Sequence, residues 1–196
     1  MTHQRFVLAS NNQKKLQELQ YRLSNRIQLV NQGDLGVVEA EETGLTFIEN
    51  ALIKARNASG HTGLPAIADD SGLEVDYLDG APGIYSSRYA GPNANDHANI
   101  TKLLGALSGV PESHRSARFQ CVIVMLRHAA DPTPIICQGT WHGRILDHLM
   151  GFNGFGYDPV FYVPTHEASA AQLDPEVKNR ISHRAQAASQ LILELS

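Results

Sequence analysis

Short apolar runs that read as buried strands alternate along this chain with stretches of helical spacing, and that alternation restricts the fold most. The runs are Arg5 to Ala9, Ile27 to Val30, Pro65 to Ala68, Ala117 to Arg127, Ile135 to His142 and Val160 to Val163. Between the first two, Leu16, Leu19 and Leu23 recur at i, i+3 and i+7 in a helix that starts at Lys14. Thr46-x-x-Glu49 is a capping box, whose hydroxyl and carboxylate satisfy orphan amides of a first helical turn. Ala51, Leu52, Ala55 and Ala58 then supply small apolar packing, and Gly60 is expected to end that helix. Further helices are expected over Asp96 to Leu107, from Asp174-Pro175-Glu176, and from a Ser182 cap through Ala188, Leu191, Ile192 and Leu195. Strands and helices interleaved without internal repeats predict one mixed α/β domain over residues 1–196.

Charge and cysteine usage narrow the function classes. With 16 basic against 20 acidic residues, net −4, the chain lacks the bulk basic field of a general nucleic-acid binder. Its longest apolar stretches, such as Val122 to Leu126, cannot span a bilayer. The N-terminus has too short an apolar run for a signal peptide, so a cytoplasmic protein without a membrane partner is expected. Cys121 and Cys137 both lie in apolar runs and are expected as buried free thiols.

Four segments can carry chemistry. Ser10-Asn11-Asn12-Gln13-Lys14-Lys15 joins a strand to a helix, and a helix N-terminus attracts anions through its free amides and positive dipole end. Asn12 can donate amide hydrogens there and Lys15 can add a point charge; an ordinary Asn cap followed by solvated lysines accounts for the same residues. Asp69-Asp70-Ser71-Gly72 is expected to end the strand Pro65 to Ala68, at the place where α/β sheets open into a ligand crevice. Adjacent acids there need a cation or donors, and alternating directions turn only one of them to the cleft. A turn and cap fit Asp-Ser-Gly equally well. Glu41-Glu42, ahead of the Thr46 helix, offers hard oxygen ligands suited to Mg²⁺, or a solvated acidic loop. Finally, Phe155 between glycines in GFGYDP can stack on a nucleobase, with Asp158 as acceptor and Lys178, His183 and Arg184 as donors. Walker, G-x-S-x-G, H-E-x-x-H and G-x-G-x-x-G patterns are absent.

Taken in order, LASNNQKKLQEL, EETGLTFIENALIKA, AIADDSGLEVDYLDGAPGIYSSRYAG, GFGYDPVF and ISHRAQA resemble the inosine triphosphate pyrophosphatase family, nearly end to end from Phe6. The resemblance implies an elongated mixed β-sheet flanked by helices, with two lobes and a central active-site cleft, in a homodimer. It implies Mg²⁺-dependent hydrolysis of ITP, dITP and XTP to the monophosphate and pyrophosphate, which cleanses the nucleotide pool and prevents misincorporation. Under it, Ser10, Asn11, Asn12, Gln13, Lys14 and Lys15 bind the triphosphate, and Lys54 and Ser71 also meet substrate. Glu42 and Asp70 hold the metal, with Asp70 as proton acceptor. Phe155, Gly156, Tyr157, Asp158, Lys178, His183 and Arg184 form the base pocket.

Overall fold

The computed structural model describes residues 4–23 and 26–195. Among the described residues, seven strands form one sheet in the order β2-β1-β3-β4-β5-β6-β7. They are β1 (Gln4–Leu8), β2 (Ile27–Asn31), β3 (Ala66–Val75), β4 (Ser116–Leu126), β5 (Ile135–Ile145), β6 (Phe161–Val163) and β7 (Ala168–Ser169). β1 runs parallel to β2 and β3, whereas β6 is antiparallel to β5 and β7, so the sheet is mixed. Among the described residues five α-helices accompany it: α1 (Gln13–Leu23), α2 (Phe47–Thr62), α3 (Asp96–Ala106), α4 (Pro175–Ile181) and α5 (His183–Glu194). Mixed α/β architecture is thus borne out.

The chain forms two compact units. One comprises residues 1–70, 121–139 and 183–196, the other residues 71–120 and 140–182. The backbone therefore passes from one to the other four times, after Asp70, Gln120, Gly139 and Ser182.

In the first unit both faces of the sheet are covered, so Phe6 to Ala9, Ala66 to Ala68 and Cys121 to Leu126 run apolar. Phe6, Leu8, Leu29 and Ile67 pack with Leu19 and Leu23 of α1 and Leu191 of α5. Val7, Ala9, Ala66 and Ala68 pack instead with Ala51, Ala55 and Ala58 of α2. The capping box forms as expected: the Glu49 amide donates to Thr46 Oγ1, and the Glu49 carboxylate accepts from the Thr46 amide. α2 does not stop at Gly60. It runs to Thr62 and ends on Gly63, whose φ of 68° permits the amide of that cap to donate to the Ser59 carbonyl. Cys121 and Cys137 are buried and free.

The second unit closes around Leu73 and Val75 of β3, Ile100 and Leu103 of α3, and an aromatic group of Phe119, Trp141 and Phe161. The Phe119 and Phe161 rings lie 4.5 Å apart, and Trp141 and Phe161 5.3 Å apart. Arg115 is buried there, its guanidinium donating to the carbonyls of Val110, Leu107 and Leu146.

One strand differs from its sequence reading. β3 continues through Asp69-Asp70-Ser71-Gly72 to Val75 instead of ending at Ala68. The local residues favour a turn, but donors from distant elements satisfy both carboxylates in place, so the strand need not break.

Candidate active site

Side chains alternate along β3, so Ile67 shares a face with Asp69, and Ala68 with Asp70. Ile67 belongs to the face packed by α1 and α5, and Ala68 to the face packed by α2. Asp69 accordingly meets α1 and α5, and Asp70 meets α2.

Asp69 is buried among four donor atoms from three side chains. Lys15 of α1 forms an ion pair with its Oδ1. Arg184 of α5 donates from Nε to Oδ2 at 2.9 Å and from Nη2 to Oδ1 at 3.5 Å, and the Cys121 thiol donates to Oδ2 at 3.0 Å. Arg184 also donates from Nη1 to Glu18 of α1 at 2.6 Å. Burial pushes the Asp69 carboxyl up, but Arg184 and Lys15 overcome it and hold it well below the usual carboxylate range. Burial and the neighbouring Asp69 charge raise the Cys121 thiol well above its ordinary value.

At the start of α1, Asn12 acts as the cap. Its Oδ1 accepts from the amides of Lys14 and Lys15 at 3.0 and 3.2 Å, and Ser10 Oγ accepts from the Asn12 amide at 3.1 Å. The capping oxygen leaves the Asn12 amide nitrogen as its donor. Asn11, Gln13 and Lys14 are exposed around it, Ser10 is half-buried, and Lys15 is turned inward to Asp69.

On the other face, Lys54 is shared by two carboxylates. Its Nζ donates to Asp70 Oδ1 at 2.7 Å, to Glu42 Oε1 at 2.9 Å and to the Asp69 carbonyl at 2.9 Å. Glu41 is exposed, so of the acidic pair the structure brings Glu42 to Asp70. Burial lowers Lys54, yet Asp70 and Glu42 raise it above its usual value. Asp70 is raised as well: burial acts first, Lys54 offsets only part of it, and Glu42 adds like-charge repulsion. One ammonium thus serves two carboxylates. Ser71 follows on β3, half-buried.

The second unit holds the remaining loop. Asp158 Oδ2 accepts from the Phe155 amide at 2.9 Å and from Lys178 Nζ at 2.6 Å, and the ammonium also sits 4.8 Å from the centre of the Phe155 ring. Gly154 has a φ of 77°, and a Cβ there would collide with Asp158 Oδ2, so no other residue permits this closure. The Gly156 amide donates to Asp96 at 2.7 Å. Tyr157 points into the core and donates to the Ser86 carbonyl at 2.8 Å. His183 and Arg184, grouped with this loop by resemblance, lie in the first unit and are buried.

Sequence reasoning overlooked four contributors. Glu18 sits 166 residues from its partner Arg184, and Asp69 was not separable from Asp70 by spacing alone. Asn50 is fully buried on α2, its Oδ1 accepting from the Gly44 amide at 2.8 Å, which ties the loop bearing Glu42 to the helix bearing Lys54. Gly139 lets α5 reach β5, because a Cβ there would overlap the His183 carbonyl and approach the Ala187 amide at 2.9 Å. Asn50 lies four residues before Lys54, so the two share a face of α2.

Comparison with known proteins adds the remaining evidence. The chain is 55% identical over 193 residues to the dITP/XTP pyrophosphatase of Vibrio parahaemolyticus, covering 98% of this chain and 96% of the relative. It is 57% identical to the dITP/XTP pyrophosphatase of Salmonella paratyphi A, covering 96% of each. Among solved structures, a HAM1 protein from Coxiella burnetii superposes with a TM-score of 0.92 at 52% identity, over 98% of this chain and 100% of that one. A nucleoside-triphosphatase / dITP/XTP pyrophosphatase from Mycobacterium abscessus gives 0.76 at 40% identity, over 98% and 100%. With residues 6–194 matching the family profile, the chain belongs to the Ham1 family.

Proposed function

We propose that this protein hydrolyses non-standard purine nucleoside triphosphates, ITP, dITP and XTP, to the nucleoside monophosphate and pyrophosphate. The activity follows the names of relatives that match it at 55–57% identity over nearly their whole length. The observation that supports the chemistry best is the Lys54 ammonium shared between Glu42 and Asp70.

Charge decides what that group needs. A triphosphate brings three to four negative charges, and Lys54 alone does not neutralise the two carboxylates beside it. The donor set therefore fits a divalent ion. Among the described residues no three His, Cys, Asp or Glu side chains gather into a cage, and Mg²⁺ characteristically takes one or two carboxylates with substrate phosphates. Glu42 and Asp70 would hold Mg²⁺, which supplies Lewis-acid stabilisation of the phosphoryl oxygens.

The chain's own groups perform the rest. Lys15, Lys54, Ser71 and the donors of Ser10 to Lys14 bind the phosphates, and their attraction grows as charge moves to the departing pyrophosphate. Asp70 accepts a proton from the attacking water, which suits a carboxyl raised by burial. Phe155 offers a ring to the purine, with Gly156, Tyr157, Asp158, Lys178 and His183 shaping that end. A donor-rich surround favours the 6-oxo group of hypoxanthine and xanthine over the amino group of adenine. By family resemblance the enzyme is a cytoplasmic homodimer that keeps these nucleotides out of DNA and RNA.

Pyrophosphate release is measured from ITP, dITP, XTP, ATP and GTP, with and without a chelator. Chelator-sensitive turnover with kcat/KM for ITP and XTP far above that for ATP is expected. Equal values across the panel reject the base preference, and full activity in chelator rejects the metal.

A further inference from the structure

Phe155 to Asp158 are fastened residue by residue. The Phe155 amide donates to Asp158, the Tyr157 hydroxyl to the Ser86 carbonyl, and the Lys178 ammonium to Asp158. Tyr157, Asp158 and Lys178 are buried, so these ties belong to the packed interior. The tie on Gly156 differs in kind. Its amide donates at 2.7 Å to Asp96 Oδ2, on an exposed side chain 60 residues earlier at the start of α3. Gly156 has a φ of 60°, and among the described residues nothing lies within 4 Å of where its Cβ would stand. Packing does not select that conformation, and a glycine left to itself takes either sign of φ. The hydrogen bond to Asp96 is placed to select it.

The carboxylate is not needed to cap its own helix. Asn95 does that, its Oδ1 accepting from the Ala98 amide at 2.9 Å. Nor is α3 a loose support. Ile100 and Leu103 sit in the core, and Asn99 donates to the Ser87 carbonyl at 3.0 Å while accepting from the Ala90 amide at 2.8 Å. The segment Asn99 grips contains Ser86, whose carbonyl receives Tyr157. Asp96 and Tyr157 therefore hang from one frame and hold neighbouring residues of the loop.

Resting on the reading of Phe155 as the ring offered to the purine, we infer that Asp96 is a positioning residue for the base. It fixes the backbone at Gly156 and, through it, the attitude of the adjacent Phe155 ring. It does so without touching the substrate.

The test combines steady-state kinetics on ITP and XTP with isothermal titration of inorganic tripolyphosphate, which has no base, in the presence of Mg²⁺. Asp96→Ala removes the acceptor. KM for ITP and XTP is expected to rise by the same factor, roughly fivefold as for one hydrogen bond, with kcat nearly unchanged. Tripolyphosphate Kd stays where it was. Asp96→Asn keeps an oxygen that can accept from the Gly156 amide, and it is expected to return KM to within twofold of the unmodified value. Phe155→Ala raises KM by itself, and adding Asp96→Ala to it brings no further rise, because both act through one ring. Asp96 is exposed, so these substitutions leave the core intact. An unchanged KM in Asp96→Ala overturns the inference, as does a tripolyphosphate Kd that weakens in step with KM. Additivity with Phe155→Ala does the same, and so does an ITP-to-XTP ratio shifted by Asp96→Asn, which would mean direct contact with the base. An unaltered KM in Phe155→Ala removes the reading of Phe155 itself, and this inference with it.

Discussion

Asp69 and Asp70 are consecutive residues whose carboxyls shift in opposite directions, Asp69 down and Asp70 up. Both feel burial; they differ in the cations each can draw on. Asp69 draws on Arg184 and Lys15, while Asp70 shares Lys54 with Glu42. Two outcomes follow at this scale. Asp70→Asn is expected to lower kcat by roughly 10²-fold or more on ITP, because under the proposed mechanism it removes both a proton acceptor and a metal ligand. A variant within a few-fold of the unmodified enzyme rejects the assignment. For Asp69 the folded value lies below the unfolded one, so its stabilisation is complete above about pH 4 and fades as pH falls further. Urea denaturation of Asp69→Asn beside the unmodified protein is expected to show a gap at pH 7 that narrows below about pH 4. A gap independent of pH contradicts the ion-pair account. Spacing could mark this dipeptide as charged and costly. It could not divide the work between its members, because the donors that do so come from residues 15, 54 and 184.

Elements bring those donors in, and small residues decide how closely. Asn50 anchors the loop of Glu42 to α2, one helical turn before Lys54. Asn50→Ala leaves the half-buried Gly44 amide without its acceptor, at a cost of about 1 kcal/mol. Its specific signature is weaker Mn²⁺ binding in a spin-resonance titration, and an unchanged titration would show that the loop holds Glu42 unaided. Gly139→Val drives side-chain atoms into the start of α5 and is expected to lower stability by about 1–3 kcal/mol, read by thermal melting. Helices with local signals were legible: the Thr46–Glu49 box, the Asp174-Pro175 start and the leucine stripe of α1 all appear as read. β3 was misjudged because Asp-Asp-Ser-Gly carries a genuine turn preference that partners over a hundred residues away override. The end of α2 was misjudged because two glycines stand three residues apart, and only Gly63 adopts a left-handed backbone.

At the scale of the whole molecule, both thiols are buried and unpaired. Burial raises Cys137 to about 11 and Cys121 well above its ordinary value, so neither forms a thiolate near neutral pH. Reaction with a disulfide reagent at pH 8 is expected to be slow in the native protein and to follow unfolding when denaturant is added. Fast native labelling of both would contradict the core that buries them. The fold class was readable because it depends on periodicity distributed along the entire chain. Two lobes were expected from the family resemblance alone; the discontinuity of each unit was not readable, since no linker-like composition accompanies any of the four crossings. Those crossings have a hereditary consequence. No single break in the gene separates the two units, so a crossover cannot exchange one whole unit for its counterpart from another lineage. Each unit is inherited in pieces, never as a separable cassette.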